Sequence, residues 1–284
     1  MTIDDVVPHG PRRPLLKSIV IAAVVLYVAV ATYMYFAQRR FIYFPEPART
    51  PPAAVGLPDV AERIIATPDG EKVIAWYGKA KPGQPTLLYF HGNGGALEFR
   101  SESIRHYLDR GRGIFMMSYR GYSGSTGSPS EAANVADAKL AYDELRKEGV
   151  SPADIILYGE SLGTGVAIEV ATQKNVAGLI LDSPYTSIAE LASALYPWLP
   201  VNLLLKDRYD SIGRIGDVHV PVLIVHGEAD DVIPVEMARR LFVAANEPKE
   251  IVTIPRAGHA IHDPQTFEIF DRWIDKLRTM PKGE

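Results

Sequence analysis

Short apolar runs rich in β-branched and aromatic residues recur along the chain and predict β-strands. They lie at 62–67, 72–77, 86–90, 113–119, 154–159, 178–183, 221–227 and 250–255. From the third run onward, stretches with helical periodicity separate the strands, near 97–110, 130–148, 161–174, 187–196, 235–245 and 264–279. Runs such as 87–90 and 222–225 are apolar without alternation, which is typical of parallel strands covered by helices on both faces. We therefore expect an α/β fold with a mostly parallel eight-stranded sheet, in which the first two strands form a hairpin.

A longer apolar run precedes the strands. Residues 18–38 contain no charged side chain, and as a helix they extend about 30 Å, the thickness of the hydrocarbon core of a bilayer. Tyr33, Tyr35 and Phe36 fall near its C-terminal end, where aromatic rings favour the membrane interface. We expect a single-pass transmembrane helix at 18–38. The alternatives are a signal peptide cleaved at the small residues 29–31, or a helix buried in the protein core.

Basic residues flank this run on both sides. Arg12, Arg13 and Lys17 precede it, and Arg39, Arg40 and Arg49 follow it. Because the two sides carry equal numbers, the positive-inside rule does not decide the orientation. We expect the usual course of an uncleaved signal-anchor, with the N-terminus in the cytoplasm and the domain outside.

The pattern divides the chain into a tail at 1–17, the apolar helix at 18–38, a linker at 39–59 and a domain at 60–284. Five prolines between residues 45 and 58 predict an extended linker. The domain contains an insertion near 184–217, rich in leucine and including Tyr196 and Trp198, which is too short for a full cap domain. Either its helices pack onto the sheet, or its apolar side chains form a wall that holds an acyl chain.

Composition removes several classes of function. The 284 residues carry a formal net charge of −4 and a pI near 6.0, without the basic excess of a nucleic-acid-binding protein. The absence of cysteine excludes disulfides, Cys-ligated zinc, iron–sulfur clusters and a Cys nucleophile. We expect no cofactor and no nucleic-acid partner.

A nucleophile motif lies between a predicted strand and a predicted helix. Residues 159–163 read Gly-Glu-Ser-Leu-Gly, the Gly-x-Ser-x-Gly sequence that turns sharply and exposes its serine above the sheet. Glycine is needed on either side because larger side chains would collide with neighbouring backbone. Ser161 is the candidate nucleophile, and the amide of Leu162, at the start of the helix, is a candidate donor to an oxyanion.

A serine nucleophile needs a base, and the base needs a carboxylate that holds its tautomer. Asp230 and His259 follow the ends of two predicted strands, where catalytic groups gather in open α/β sheets. The order Ser161, Asp230, His259 is that of the α/β-hydrolases. Other candidates are Asp231, Glu228 and Asp182 for the acid and His262 for the base. A metal site made by His259, His262 and Asp263 is a weak alternative, because no further ligand set is evident.

Two glycine-rich loops also follow strand ends. Residues 91–95, His-Gly-Asn-Gly-Gly, occupy the connection that supplies the second oxyanion amide in this architecture, and Asn93 is the candidate donor through its backbone N–H. Neither a phosphate-binding nor a dinucleotide-binding glycine pattern is complete here. The loop at 119–127 is either a flexible surface loop or one packed beside the site, with Tyr122 or Arg120 ordering its floor.

With these motifs together, the chain from about residue 41 to 270 resembles the alpha/beta-hydrolase fold serine hydrolases. It is most similar to the membrane-anchored abhydrolase-domain group that includes protein depalmitoylases. The matching segments are FIYFPEP (41–47), YFHGNGG (89–95), YRGYSGSTGSPSE (119–131), YGESLGTGVA (158–167), DSPYTS (182–187), YPWLP (196–200), LLKDRYDS (204–211), HGEADDVIP (226–234) and AGHA (257–260). The resemblance implies Ser161 as nucleophile, Asp230 as acid, His259 as base, and an oxyanion hole made by Asn93 and Leu162.

Two departures from that group stand out. Its depalmitoylases attach to membranes through a cysteine-rich segment, whereas this chain has no cysteine and carries an apolar helix instead. The group commonly has Gly-Tyr-Gly after the arginine, where this chain has Gly-Tyr-Ser at 121–123.

The sequence therefore predicts a membrane-anchored serine hydrolase that cleaves an ester or thioester of a small or lipid-like acyl group, with Tyr122, Tyr196 and Trp198 as candidate substrate contacts. The alternatives are a serine peptidase with the same triad and a catalytically silent binding module.

Overall fold

The computed structural model describes residues 12–259 and 263–279. Within them, α1–α10 lie in order at Arg12–Ala37, Arg39–Ile42, Ser101–Asp109, Glu131–Lys147, Leu162–Ala171, Ile188–Leu195, Val201–Leu204, Ser211–Arg214, Val235–Ala244 and Pro264–Thr279. The strands β1–β10 lie at Phe44–Pro45, Ala61–Ala66, Lys72–Gly78, Thr86–Phe90, Gly94–Gly95, Gly113–Met117, Ile155–Glu160, Gly178–Asp182, Val222–Gly227 and Lys249–Ile254. All eight predicted strands are present, and their ends fall within two residues of the prediction.

These eight strands form one sheet in the order β10-β9-β8-β7-β4-β6-β3-β2. The six strands from β10 to β6 in that order pair in parallel. The predicted hairpin is β2–β3, and β3 pairs antiparallel with β6. The structure confirms the mostly parallel eight-stranded sheet, and it places the ends of β7, β9 and β10 along one edge.

The sheet is covered on both faces, which explains why its central strands lack polar alternation. In β4 every residue is buried. Leu88 and Phe90 belong to a core shared with α4 and α5, whereas Leu87 and Tyr89 belong to a second core shared with α3 and α10. Because side chains of a strand point alternately to opposite faces, each face of β4 buries its own apolar set.

Helix α1 begins before the predicted run and ends at Ala37, one residue before its predicted end. Its segment Leu16–Ala37 has 22 residues, is apolar enough to cross a membrane, and is unburied. The hypothesis of a helix buried in the protein core is therefore wrong. A membrane span and a signal sequence both fit an apolar helix at this position.

The residues predicted as a linker contact the domain. Tyr43 is buried in the core beneath α4 and α5, and Leu57 is buried in the opposite core. Phe44 and Pro45 form β1, which pairs in parallel with β5 in a separate two-stranded sheet. The prolines indicated an extended backbone but not that Tyr43, Pro52 and Leu57 would be buried; these residues hold the segment to the domain, and most of the others in 39–59 are exposed.

The insertion near 184–217 contains the short helices α6, α7 and α8. Ser187 caps the N-terminus of α6, since its hydroxyl accepts a hydrogen bond from the Glu190 N–H. Asp210 caps α8 in the same way through the Gly213 N–H. The turn between α6 and α7 contacts α1: Tyr27 Oη donates to the Trp198 carbonyl over 3.2 Å.

Candidate active site

Ser161 occupies a sharp turn between β7 and α5. Its backbone has φ 49° and ψ −115°, a left-handed conformation that strains a residue with a side chain. The turn is possible because of its glycines: a Cβ at Gly163 would lie 2.0 Å from the Phe90 carbonyl oxygen, and one at Gly159 would lie 2.6 Å from the Gly163 carbonyl oxygen. The predicted strand–serine–helix turn is therefore present.

Three predicted residues meet at the end of the sheet. His259 Nε2 lies 2.9 Å from Ser161 Oγ, and His259 Nδ1 lies 2.7 Å from Asp230 Oδ2. With the proton on Nδ1, the imidazole donates to Asp230 and accepts from the serine hydroxyl. The three groups thus form one chain of hydrogen bonds, although Ser161 and His259 are 98 residues apart in sequence.

Asp230 is fixed as a buried carboxylate. Its side chain is inaccessible to solvent, and Oδ1 accepts hydrogen bonds of 2.8 Å from the backbone N–H groups of Val232 and Ile233. Burial opposes ionisation, but hydrogen bonds from His226, His259 and the Ile233 N–H outweigh it, so the pKa of Asp230 lies well below its usual range. Asp230 is therefore charged and rigidly oriented toward His259.

His259 responds to that carboxylate. Burial lowers the pKa of the imidazole, but the hydrogen bond and the charge of Asp230 more than offset it, and the net shift is upward from 6.5. Asp182 and Glu160 add to the upward shift. A raised pKa favours the imidazolium that forms when the ring takes a proton from serine.

The oxyanion side of the site is held by the segment that precedes the domain. Asn93 and Leu162 both line the same cavity as Ser161. The Asn93 carbonyl accepts hydrogen bonds from Tyr122 Oη over 2.7 Å and from the Phe44 N–H over 3.0 Å, and the Asn93 side-chain amide donates to the Ile42 carbonyl over 3.0 Å. These bonds fix the loop that carries the Asn93 amide.

A buried ion pair beneath the nucleophile was not predicted. Glu160 precedes Ser161, and its Oε1 accepts a 2.8 Å hydrogen bond from Arg100 Nη2, while Tyr89 Oη donates to Oε2 over 2.6 Å. Arg100 also donates to the Gly94 carbonyl, so the pair links the nucleophile turn to the loop of Asn93. Single residues at 89 and 100 carry no motif, and only the fold brings them together.

His226 is a second contact that sequence analysis missed. It is the penultimate residue of β9, fully buried, and its Nε2 lies 2.8 Å from the Ile233 carbonyl and 3.3 Å from Asp230 Oδ2. Its position at a strand end, four residues before Asp230, was the available signal.

A cavity of about 420 Å³ opens beside Ser161. Its wall is mostly apolar, and besides the loop of Asn93 and the turn of Ser161 it is built from the C-terminal end of α1, from α2, from the insertion and from the loop after Asp230. Its lining includes Met34, Tyr35, Ile188, Leu191, Leu195, Tyr196, Leu199, Val201, Leu204, Leu205 and Val232. The insertion packs onto the domain and also lines the cavity: Ile188 and Leu191 lie against the core and in the cavity wall.

Not every candidate is near this cavity. Tyr196 lines it, but Tyr122 and Trp198 are absent from its lining in the described part of the chain. Tyr122 is fully buried, and its hydroxyl donates to the Asn93 carbonyl and accepts from the Phe44 N–H. It therefore orders the floor of the loop and does not touch substrate. Trp198 packs edge-on against Tyr27 and Tyr196.

Among the described residues, the alternative acids make other contacts and do not contact His259. Asp182 accepts from Tyr158 Oη, Glu228 accepts from Thr253 Oγ1, and Asp231 lines the cavity. Arg120 pairs with Asp137 and Asp69. His262, the other candidate base and a member of the alternative metal set, lies outside the described residues.

Comparisons with known proteins agree with this architecture. The sequence profile described as "alpha/beta hydrolase fold" matches residues 85–211. The chain is 40% identical over 257 residues to an uncharacterised protein of Mycobacterium tuberculosis, covering 89% of this chain and 91% of that protein. It is 30% identical over 272 residues to the alpha/beta hydrolase domain-containing protein WAV2 of Arabidopsis thaliana, covering 85% of each. Among solved structures, an esterase of Pyrococcus furiosus is similar with a TM-score of 0.63 at 18% identity, over 83% of this chain and 96% of that one.

Proposed function

The chain belongs to the alpha/beta hydrolase family, and from the geometry around Ser161 we propose that it is a membrane-anchored serine hydrolase that cleaves a carboxylic ester or thioester. The observation that carries the proposal is the continuous hydrogen-bonded series Asp230–His259–Ser161 at the wall of an apolar cavity. The anchor is α1, whose segment Leu16–Ala37 is long and apolar enough to span a bilayer.

The reaction follows from the positions of these groups. Ser161 Oγ attacks the carbonyl carbon of the substrate while its proton passes to His259 Nε2. The oxyanion that forms receives hydrogen bonds from the backbone N–H groups of Asn93 and Leu162, and the N-terminus of α5 adds a favourable dipole. His259 then gives the proton to the leaving alcohol or thiol, and the acyl group remains on Ser161.

Water completes the cycle. His259, neutral again, accepts a proton from a water molecule that attacks the acyl-enzyme, and a second oxyanion forms in the same hole. Collapse of this intermediate returns the proton to Ser161 Oγ and releases a carboxylic acid. Asp230 stays ionised throughout, since its role is to hold the tautomer of His259 and to stabilise the imidazolium.

The cavity supports an acyl substrate over an extended peptide. Its apolar wall, to which residues of α6 and α7 contribute, suits a hydrocarbon chain. Both oxygen esters and thioesters fit the same chemistry, and the resemblance to protein depalmitoylases brings thioesters into the proposal. The intact hydrogen-bonded series argues against a catalytically silent module.

A serine-directed phosphonate tests the proposal. We expect the purified wild-type protein to gain one covalent adduct that maps to Ser161, and we expect the Ser161→Ala variant to gain none. Glu228→Gln is the matched control: Glu228 is an exposed carboxylate two residues before the proposed acid and does not line the cavity, so labelling of this variant should persist. A folded wild-type protein that resists the phosphonate, or an adduct elsewhere, would contradict the proposal.

The membrane anchor has a separate test. Full-length protein should stay with the membranes during alkaline carbonate extraction. Release into the soluble fraction would show that α1 does not span the bilayer, and it would leave the hydrolase proposal to be judged by the phosphonate.

A further inference from the structure

The turn between α6 and α7 carries an apolar surface that the proposed reaction does not use. Residues 191–205, here called the apolar hairpin, contain no charged side chain. Leu195, Trp198 and Leu203 are 72%, 51% and 85% exposed, and Trp198 and Leu203 do not line the cavity. An exposed cluster of large apolar side chains marks a surface that binds a partner or a membrane.

The hairpin lies along α1. At its base, Lys206 Nζ lies 4.1 Å above the ring of Tyr35, near the C-terminal end of the helix. At its tip, the ring of Trp198 lies 6.4 Å from the ring of Tyr27, and Tyr27 Oη donates to the Trp198 carbonyl. Tyr27 and Tyr35 are eight residues apart, which is about 12 Å along a helix. The tip therefore reaches about 12 Å past the base, toward the middle of Leu16–Ala37.

The backbone of the hairpin is suited to an environment without water. Pro197 and Pro200 have no N–H to satisfy. The N–H groups of six further residues donate to carbonyls within residues 192–201. They are those of Tyr196, Leu199, Val201, Leu203, Leu204 and Leu205. Because unpaired backbone groups are costly in hydrocarbon, this internal pairing lowers the free-energy cost of burial in a bilayer.

Charge begins where the hairpin meets the end of α1. Glu190 precedes the uncharged residues and Lys206 follows them. Arg39, just after α1, makes two hydrogen bonds with Asp207, and Gln38 accepts from the Lys206 N–H over 2.7 Å. These polar contacts join the base of the hairpin to the end of the apolar helix. Arg208 Nη1 also donates to the Asn202 carbonyl over 2.8 Å, so the polar boundary lies at the start of α7 and the end of α1.

We propose that the apolar hairpin inserts into the hydrocarbon layer of the bilayer beside α1, with Trp198 and Leu203 in contact with lipid. This proposal rests on the proposed membrane anchor, because the depth of the hairpin in the bilayer is inferred from its position along α1. The hairpin also supplies Leu199 and Leu204 to the cavity wall, opposite Met34 and Tyr35 of α1. The wall of the acyl cavity is then itself immersed in lipid, and amphiphilic esters reach Ser161 from the bilayer rather than from water.

The chain offers a clean test because it has no native cysteine. Leu203→Cys is labelled with an environment-sensitive fluorophore in full-length protein reconstituted into phosphatidylcholine vesicles. Val243→Cys is the matched control, since Val243 is 78% exposed on α9. Its carbonyl accepts from Lys249 at the N-terminal end of β10, whereas the site lies at the C-terminal ends of the strands. Brominated phosphatidylcholine quenches probes in the bilayer, and iodide quenches probes in water.

We expect brominated lipid to remove most of the emission at position 203 and little at position 243, and iodide to do the reverse. Iodide quenching at position 203 in protein that resists carbonate extraction would overturn the proposal while leaving the anchor intact. Equal lipid quenching at both positions would also overturn it, because that indicates nonspecific adsorption. Loss of the protein in carbonate would instead show that the anchor has failed.

A functional arm uses Leu203→Glu with Val243→Glu as its control. Against a long-chain ester carried in vesicles, Leu203→Glu should lose most of its kcat/KM, and Val243→Glu should keep wild-type values. Against a short soluble ester both variants should match wild type, because neither side chain lines the cavity. An equal loss on both substrates by Leu203→Glu would place the effect on folding and contradict the proposal.

Discussion

Asp230→Asn is the substitution whose effect on activity can be worked out most fully from the structure. The asparagine carbonyl oxygen can keep the two hydrogen bonds from Val232 and Ile233, so the loop that carries residue 230 should remain in place. The amide nitrogen then takes the position of Oδ2, 2.7 Å from His259 Nδ1, and it can only donate. His259 must accept at Nδ1 and carry its proton on Nε2, where it cannot receive the proton of Ser161.

The expected loss is large because the wrong tautomer removes the base while the rest of the site stays intact. The same exchange in a Ser-His-Asp enzyme lowers kcat by about 10⁴, which corresponds to about 5.4 kcal/mol of transition-state stabilisation. We expect a decrease of that order in kcat, with phosphonate labelling slowed in parallel. Circular dichroism and thermal unfolding should stay close to wild type, since Asn conserves shape.

The pH profile provides a second, independent signature. Neutral His259 is the active form of the base, so kcat/KM falls as pH drops through its pKa. In the wild type that acid limb should lie above 6.5, because Asp230 raises the pKa of His259. Asp230→Asn removes the charge that raises the pKa of His259, so the acid limb of the residual activity should shift to a lower pH. Activity within tenfold of wild type with an unmoved limb would refute the assignment of Asp230.

Further predictions concern the nucleophile turn, the buried ion pair and the cavity. Gly163→Ala should lower the free energy of unfolding by about 1–3 kcal/mol in chemical denaturation, because its Cβ would lie 2.0 Å from the Phe90 carbonyl oxygen. Gly216→Ala is the control, since the nearest atom to a Cβ there is 3.9 Å away and the backbone φ is not positive. Arg100→Met should lower the free energy of unfolding by about 3–5 kcal/mol, because it leaves Glu160 charged and buried. Adding Glu160→Gln should recover part of that stability; no recovery would argue against the ion pair. With nitrophenyl esters, kcat/KM should rise by about fourfold per methylene from acetyl toward octanoyl until the cavity is full, since each buried methylene contributes about 0.8 kcal/mol; flat activity would mean that the wall serves only packing.

Local pattern was enough to predict the elements because the central strands of the sheet are short, apolar and buried on both faces. It also named Ser161, Asp230 and His259, which the structure brings within hydrogen-bond distance, since each follows a strand end and parallel strands bring those ends to one edge of the sheet. Residues that act through isolated tertiary contacts were missed. Arg100 and Tyr89 meet Glu160 only because the chain folds.

The segment after α1 shows a different limit. Its prolines correctly indicate extended backbone, but extension does not say whether the segment is free or packed. Tyr43 is buried because its ring fills the core and its hydroxyl reaches Asp207 and Tyr209, partners more than 160 residues away. Tyr122 was grouped with the substrate contacts for a related reason: its loop lies beside the site, but its side chain points into the protein.

The most direct measurement of the central claim is the capture of an acyl group on Ser161. Wild-type protein is mixed with nitrophenyl octanoate, quenched with acid during the first turnovers and analysed by intact and peptide mass spectrometry. The mechanism predicts a burst of nitrophenol and one octanoyl group on the peptide that contains Ser161, with neither in Ser161→Ala. Hydrolysis that persists in Ser161→Ala, or an octanoyl group on another residue, would contradict it.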